Sequence, residues 1–226
     1  MVEFQRKEKY GFDDLCGIVR ILRSPGGCPW DMEQTHKSIR NDFIEEVYEA
    51  VEGIDNDSPE ILREELGDVL LQVVFHADIC STDGQFEMDD IITDLCNKLI
   101  IRHPHVFSCD NRYADVDTPE KVLYNWNEIK KATKGQKNLK EELAGVSRAL
   151  PSLFRGQKTA KKLRKSNNAY NCDDSVLEEL LSAYEKSNSK EDLGALLFAL
   201  CAKADKTDVN AEEALYNKIE EIINEA

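Results

Sequence analysis

Phe43-Ile44-Glu45-Glu46-Val47-Tyr48-Glu49-Ala50-Val51-Glu52-Gly53-Ile54 and, a few residues on, Leu62-Arg63-Glu64-Glu65-Leu66-Gly67-Asp68-Val69-Leu70-Leu71-Gln72-Val73-Val74 carry the pattern from which the fold is read. In the first stretch Phe43, Ile44, Val47, Val51 and Ile54 recur at spacings of three and four, the apolar stripe of a helix running from Ser38 to about Ile54. In the second, Leu62, Leu66, Val69, Leu70, Val73 and Val74 make another stripe that reaches about Cys80. Gly53 and Asp55-Asn56-Asp57-Ser58-Pro59 break the pattern between them. Ser58 is placed to cap the second helix, with Pro59 at its first position, where the missing N–H costs nothing.

Outward from this pair the chain reads the same way. Phe12 to Arg23 is a helix stopped by Ser24-Pro25-Gly26-Gly27-Cys28-Pro29, and Asp31 or Thr35 is the expected cap of a short helix after it. Asp83-Gly84 is a turn; Met88 to Arg102 is a helix ended by His103-Pro104; Pro119 to Lys134 is a further helix. No stretch alternates in the two-residue rhythm of a strand. The expected fold class is all-α, a helical bundle.

The bundle contains a repeat. Glu64-Glu65-Leu66-Gly67-Asp68-Val69-Leu70-Leu71 matches Glu191-Asp192-Leu193-Gly194-Ala195-Leu196-Leu197-Phe198. Upstream, Glu45-Glu46-Val47-Tyr48-Glu49-Ala50 matches Glu178-Glu179-Leu180-Leu181-Ser182-Ala183, and downstream Asn97-Lys98-Leu99 matches Asn217-Lys218-Ile219. Three matches in one order indicate a duplicated helical unit. The expected domains are 1–135 and 136–226, with the link around Lys134 to Ser152, where Gly135, Gly145 and Pro151 interrupt the pattern.

Composition bounds the rest. The chain has 226 residues, 41% hydrophobic and 32% charged, enough for one large or two small domains with a real core. The longest apolar run, around Val69–Phe75, is far short of the roughly 20 residues that span a bilayer. The opening Met1-Val2-Glu3-Phe4-Gln5-Arg6-Lys7-Glu8 has no apolar stretch of the secretory kind. The seven cysteines, Cys16, Cys28, Cys80, Cys96, Cys109, Cys172 and Cys201, form no C-x-x-C pair and are expected as free thiols in a reducing, cytoplasmic compartment. A net charge of -15 repels nucleic acid and anionic membrane, so neither is an expected partner. It also repels free nucleotides, so a phosphate-handling site here needs cations or a local basic patch.

The chemistry is concentrated in Glu46-x-x-Glu49, fifteen intervening residues, then Glu65-x-x-Asp68. Residues three apart on a helix project side by side, about 60° and about 4.5 Å apart. The short turn makes the two helices antiparallel neighbours, so the pairs can face one another. Four carboxylates together repel and do not all stay ionised without cations. All four donors are hard oxygens, which suits Mg²⁺, Mn²⁺ or Ca²⁺. A di-iron bundle would want Glu-x-x-His pairs, and His76 does not follow a glutamate by three. The competing explanation is a solvated acidic face. Against it, the carboxylates flank the apolar stripes, and Gly67 sits in mid-helix at a cost of about 0.5–1 kcal/mol, tolerable where a phosphate or another helix approaches closely.

Gly27-Cys28-Pro29-Trp30-Asp31, Glu45-Glu46-Val47-Tyr48-Glu49, Glu65-Leu66-Gly67-Asp68 with Val69-Leu70-Leu71-Gln72-Val73-Val74-Phe75, and Arg102-His103-Pro104-His105-Val106-Phe107 together resemble the MazG family of nucleoside triphosphate pyrophosphohydrolases, within the all-α pyrophosphatase group. The tandem arrangement is similar to the longer members of that family. The resemblance implies Mg²⁺-dependent cleavage of the α–β phosphoanhydride of a nucleoside triphosphate to the monophosphate and pyrophosphate, by a homodimer. It assigns Glu46, Glu49, Glu65 and Asp68 as metal ligands, with Mn²⁺ as an alternative ion. Lys98 and Arg102 match phosphate-contacting positions, and Trp126 an aromatic position near the nucleotide. Glu45, adjacent to the ligands, is the candidate to orient or deprotonate the attacking water. A relative specific for one nucleotide such as dUTP is an alternative of the same kind. A non-catalytic, metal-dependent nucleotide-binding or regulatory protein is one of a different kind.

The second copy departs from the pattern. Ser182 stands for Glu49, Ala195 for Asp68, and Asp192 for Glu65, the last a tolerable exchange, so the copy is expected to be catalytically silent. The basic run Arg155 to Lys165 reads as a solvated helix face before an anion site. His103-x-His105 reads as a structural loop, since Pro104 blocks a helical presentation. Trp30 is left open between core and pocket lining, and tryptophans are more often found in cores.

Overall fold

The computed structural model describes residues 4–107, 116–134 and 138–226; Cys109 and Gly135 lie outside them. Every regular element among the described residues is a helix. The chain divides into two compact units, Met1–Val122 and Leu123–Ala226. That division falls inside α7 (Pro119–Lys134), upstream of residue 135. Among the described residues no helix is long and apolar enough to cross a membrane, and Cys16, Cys28, Cys80, Cys96, Cys172 and Cys201 are unpaired thiols.

The first unit is organised by a long hairpin, α3 (Arg40–Asp55) and α4 (Pro59–Thr82). Ser58 caps α4 as expected: its Oγ accepts a hydrogen bond from the Ile61 N–H, and Pro59 opens the helix. The two helices close tightly at the turn. A Cβ on Gly53 would sit 2.8 Å from the Leu62 backbone nitrogen, so only glycine fits there. By contrast a Cβ on Gly67 would meet nothing within 4 Å in this chain, so the close helix approach falls at Gly53. α1 (Phe12–Arg23) lies against the C-terminal half of α4. Val19, Ile39, Val74, Phe75 and Ile79 form the core there, with Leu15, Cys16, Leu71 and Met88 around them. α5 (Met88–Arg102) returns along α4, capped where Asp90 accepts from the Glu87 N–H.

α2 (Pro29–Glu33) is held by its surroundings rather than by its own cap. It begins upstream of both expected capping residues: Asp31 is inside it, and Thr35 exchanges hydrogen bonds with Ser38 to close the turn before α3. The preceding loop folds back on the end of α1. Gly26 adopts φ +88, and a Cβ on Gly27 would lie 2.3 Å from the carbonyl oxygens of Ile21 and Leu22. Arg23 fastens the segment: its Nε donates to Asp78 Oδ2 at 2.9 Å, a terminal nitrogen donates to the Asp31 carbonyl at 2.6 Å, and the guanidinium lies over the Phe75 ring. Both charged side chains are nearly buried, at 8% and 11% exposure. Trp30 is presented outward, 61% exposed. It is not a core residue, because α2 meets the body of the unit through backbone carbonyls and the α1 contact, not through the tryptophan.

The stripe that predicts α3 and α4 is largely uncovered in the single chain. Ile44, Val47, Val51, Ile54, Leu66 and Leu70 are all exposed. The core of this unit is built lower in the hairpin, where α1 supplies the third wall.

In the second unit α9 (Ser152–Lys165), α10 (Asp174–Ser187), α11 (Lys190–Lys206) and α12 (Ala211–Glu225) follow α8 (Leu139–Ala144). The three helices α10–α11–α12 fall where the sequence repeat places the counterparts of α3–α4–α5. Ala160, Cys172 and Ala202 form a small core with Tyr170 and Phe198, whose rings meet edge-on. The basic run lies on α9, where Arg164 pairs with Asp205 at 2.7 Å and Lys158 sits over the Phe154 ring.

Candidate metal centre

On α3, Glu46 and Glu49 are three residues apart, and on α4 so are Glu65 and Asp68. The antiparallel hairpin brings these pairs to one level. One carboxylate oxygen from each of Glu46, Glu49 and Glu65 lies within 4.8 Å of the other two. Asp68 stands in electrostatic range of both Glu46 and Glu65. Glu46, Glu65 and Asp68 are half-buried and Glu49 is exposed. Partial loss of solvent, then repulsion from Asp68, Glu49, Glu65 and Glu45, raises the Glu46 carboxyl above its ordinary range. Partial loss of solvent, then repulsion from Glu49, Glu64 and Asp68, raises Glu65.

Glu65 also hydrogen-bonds the Glu49 carboxyl, which favours its protonated form, and the helix interior offers these groups little else. Backbone N–H groups past the first turn are already bonded within the helix and offer nothing to a carboxylate. The donor set is all oxygen, clustered and electrostatically frustrated, which fits a hard divalent cation and gives a soft or imidazole-preferring metal no reason to bind.

The other expected site residues are distributed. Glu45 is exposed, one residue and so about 100° around α3 from Glu46. Lys98 is exposed and Arg102 half-buried, one turn apart near the end of α5. Trp126 is half-buried on α7 and belongs to the second compact unit. Of the set, the hairpin gathers Glu46, Glu49 and Glu65, with Asp68 in electrostatic range. His103 caps the end of α5, and Pro104–Phe107 is a short helical turn, α6, so proline opens a helix here where a loop was expected. The two imidazoles lie 5.7 Å apart, centroid to centroid.

Residues 34–107, which span the hairpin and α5, match the MazG nucleotide pyrophosphohydrolase domain. Over 94% of its length the chain is 37% identical to the nucleoside triphosphate pyrophosphohydrolase/pyrophosphatase MazG of Thermotoga maritima, covering 86% of that protein. The chain belongs to the MazG family. It is also 35% identical, over 90% of its length, to the nucleoside triphosphate pyrophosphohydrolase of Escherichia coli K12, of which it covers 81%. Uncharacterized protein YabN of Bacillus subtilis is 44% identical over 66% of the chain, which spans 30% of that longer protein.

Three features of this MazG family member were not read from its sequence. His36 and His76 face each other edge to edge, Nδ1 to Nδ1 at 2.8 Å, and Cys80 Sγ meets the other ring nitrogen of His36 at 3.3 Å. Burial, then the neighbouring His36, lowers the His76 pKa. The Arg23–Asp78 pair pins α2. Gln72, in the apolar run of α4, is 8% exposed, and its Oε1 has no hydrogen-bond donor. The signal for Gln72 and His76 is spacing alone: they follow Asp68 by four and eight residues on one helix face. Asp192, expected as a tolerable replacement for Glu65, is otherwise engaged: it accepts hydrogen bonds from the Ser187 and Ser189 hydroxyls and closes the α10–α11 turn.

Proposed function

We propose that this chain is a Mg²⁺-dependent nucleoside triphosphate pyrophosphohydrolase that cleaves the α–β phosphoanhydride, releasing the nucleoside monophosphate and pyrophosphate. The observation that carries the reading is the carboxylate cluster on the α3–α4 hairpin, three oxygens within 4.8 Å, in a member of the MazG family. Glu46, Glu49, Glu65 and Asp68 would hold the ion. When bound, it offsets negative charge on the triphosphate and the leaving pyrophosphate and makes water a better nucleophile.

The remaining roles fall to the chain's own side chains. Lys98 and Arg102 contact the phosphates and hold them in line with the hairpin, adding fixed positive charge to a molecule of net charge -15. Trp126 packs against the nucleotide. Glu45 orients the attacking water or takes its proton. Residues 1–135 form the active unit and 136–226 a degenerate second copy. The reaction fits nucleotide-pool housekeeping in the cytoplasm. The uncovered stripe of Ile44, Val47, Val51, Ile54, Leu66 and Leu70 supports a homodimer through the α3–α4 face, since a stripe of this size is ordinarily covered.

Product analysis tests the reaction. The purified chain is mixed with a panel of nucleoside triphosphates, with Mg²⁺ and with EDTA. Monophosphate plus pyrophosphate formed only with Mg²⁺ is the expected result. Diphosphate plus phosphate, or tight metal-dependent binding without turnover, would overturn it, the second outcome in favour of a nucleotide sensor.

A further inference from the structure

His36 and His76 meet through like atoms. Their Nδ1 nitrogens are 2.8 Å apart and the ring planes differ by 18°. Such a contact needs one hydrogen and one lone pair, so one nitrogen is protonated and the other is not. Cys80 decides which. Its Sγ lies 3.3 Å from Nε2 of His36. Burial, then Asp83, pushes the Cys80 thiol up, so it keeps its proton at neutral pH and donates. In the neutral pair that makes His36 Nε2 an acceptor and leaves the His36 proton on Nδ1, from which it is donated to His76 Nδ1. The three side chains form one line of hydrogen bonds in a single direction, thiol to His36 to His76.

The line joins two parts of the fold. His36 lies in the turn between α2 and α3, and His76 and Cys80 lie one turn apart on α4. The turn leads into α3 at Arg40, less than two helical turns ahead of Glu46. The neighbouring elements bring few charges. The turn carries Lys37 beside His36, and α4 supplies Cys80 with Asp83 behind it. α3 presents the Phe43 ring, 5.5 Å from His76. α1 brings Arg20 and Arg23, both paired with Asp78, and α5 opens with Asp89 and Asp90. Burial lowers the His76 pKa most, and of these groups only His36 lowers it further. The proton count of the pair therefore governs the contact. One added proton leaves it intact, since an imidazolium still donates to an imidazole. A second leaves two donors and no acceptor, with like charges in contact. We propose that the His36–His76 pair is a proton-operated latch, which holds the α2–α3 turn to α4 until both imidazoles are protonated and then releases it. The bonds between Thr35 and Ser38 and the burial of Ile39 do not involve that proton, so release is local. Acidification loosens the entry to the helix that carries Glu46 and Glu49, whatever those carboxylates bind.

The test titrates the full, metal-free chain, its histidine rings labelled with ¹⁵N, from about pH 8 to about pH 4 and follows ring and backbone NMR signals together. At the upper end His36 should carry its proton on Nδ1 and His76 on Nε2. As coupled groups the two take up protons in two steps, and the backbone signals of Thr35 to Ile39 should move with the second. His36→Phe keeps a ring against His76 and removes the partner nitrogen. In that variant His76 should take its proton in one step, at a higher pH than the second step of the parent, and the turn signals should stay still. His76 titrating alike in both chains leaves burial as the whole cause and overturns the latch. So does the opposite pair of tautomers, a pair that takes up no second proton over the range, or a turn whose signals ignore that proton. Where the chain unfolds inside the range, melting temperature against pH decides. A lowered His76 contributes stability that is full above the ordinary histidine value near 6.5 and is lost as pH falls through the lowered one. The parent should therefore lose more on acidification than His36→Phe, which has no latch to lose, and equal losses overturn the proposal.

Discussion

The α3–α4 and α10–α11 hairpins are related in sequence, and their acidic residues have opposite fates. In the first, Glu49 and Glu65 are separated by fifteen residues, and Glu65 sits well inside α4, past the first turn. In the second, Ser182 and Asp192 are separated by nine, and Asp192 is the third residue of α11. A carboxylate that close to a helix start finds donors. The Ser187 and Ser189 hydroxyls bond to Asp192, Ser189 Oγ accepts from the Asp192 N–H at 3.1 Å, and the two hydroxyl donors hold the Asp192 carboxyl below its ordinary range. Glu65 hydrogen-bonds another acid, Glu49, and both Glu46 and Glu65, crowded by like charges, are pushed the other way. Position relative to the turn, more than residue type, decides whether an acid closes a loop or is left crowded among like charges.

The largest expected effect separates the two hairpins by function. Glu49→Ala or Asp68→Ala should lower turnover on the order of 10³-fold or more, with circular dichroism unchanged, because removing one of several crowded like charges does not weaken the fold. Asp192→Ala should leave turnover within twofold. Loss of activity in that variant would mean that the second hairpin takes part in the chemistry.

A second experiment asks whether the first hairpin binds ion without substrate. Saturating Mg²⁺ should raise the melting temperature of the parent, by about 2.7 kcal/mol of stability at a concentration 100 times the dissociation constant. EDTA should reverse it, and the Asp68→Ala variant should show neither change. An equal shift in the variant would place the ion elsewhere.

Ser189→Ala removes the cap of α11 and should cost about 1 kcal/mol, read by urea denaturation, with kcat and KM preserved. A change in kcat would break the separation between the hairpins.

The smallest effect is in pH dependence, and its sign differs between the two. Glu46 and Glu65 have raised values, so the metal-free folded chain holds protons that the unfolded chain has released. Their contribution to stability is full below the ordinary carboxylate value near 4.5 and is lost as pH rises through the raised values. Asp192 is lowered, so its contribution is present above its ordinary value near 3.8 and is lost as pH falls through the lowered one. Melting of metal-free Glu46→Gln and Asp192→Asn across this range should therefore flatten opposite limbs of the stability curve.

Much of the fold was legible because its punctuation is chemical. α1 ends at Ser-Pro-Gly-Gly, α4 opens at Ser58-Pro59, and α5 ends before Pro104, each a residue type with one backbone preference. The carboxylate set was legible for the same reason, since a three-residue spacing on a helix has one geometric meaning. Periodicity shows that a face is apolar but not what covers it, and here the upper stripe of α3 and α4 is bare while the lower half is walled by α1. Trp30, left open between core and pocket lining by the sequence, is exposed, because its helix is held by Arg23 through backbone carbonyls. The engagement of Asp192 was hidden in the shorter spacing of the second hairpin, which moves an equivalent residue into the capping turn. The His36–His76–Cys80 contacts join residues some forty apart, and no local pattern encodes them.

The turn between α1 and α2 has a consequence for how the molecule opens. The Gly27 and Cys28 amides donate to Ser24 and Leu22 carbonyls at 2.8 and 2.7 Å, and Arg23 ties the segment to Asp78 on α4. Surface loops ordinarily exchange their amide protons through local fraying, at little cost. This one has no independent way to fray, because releasing it breaks a nearly buried ion pair shared with the longest helix of the unit. Its protons should exchange together with those of α1 and α4, and Trp30, although in water, is carried by a segment tied to both helices.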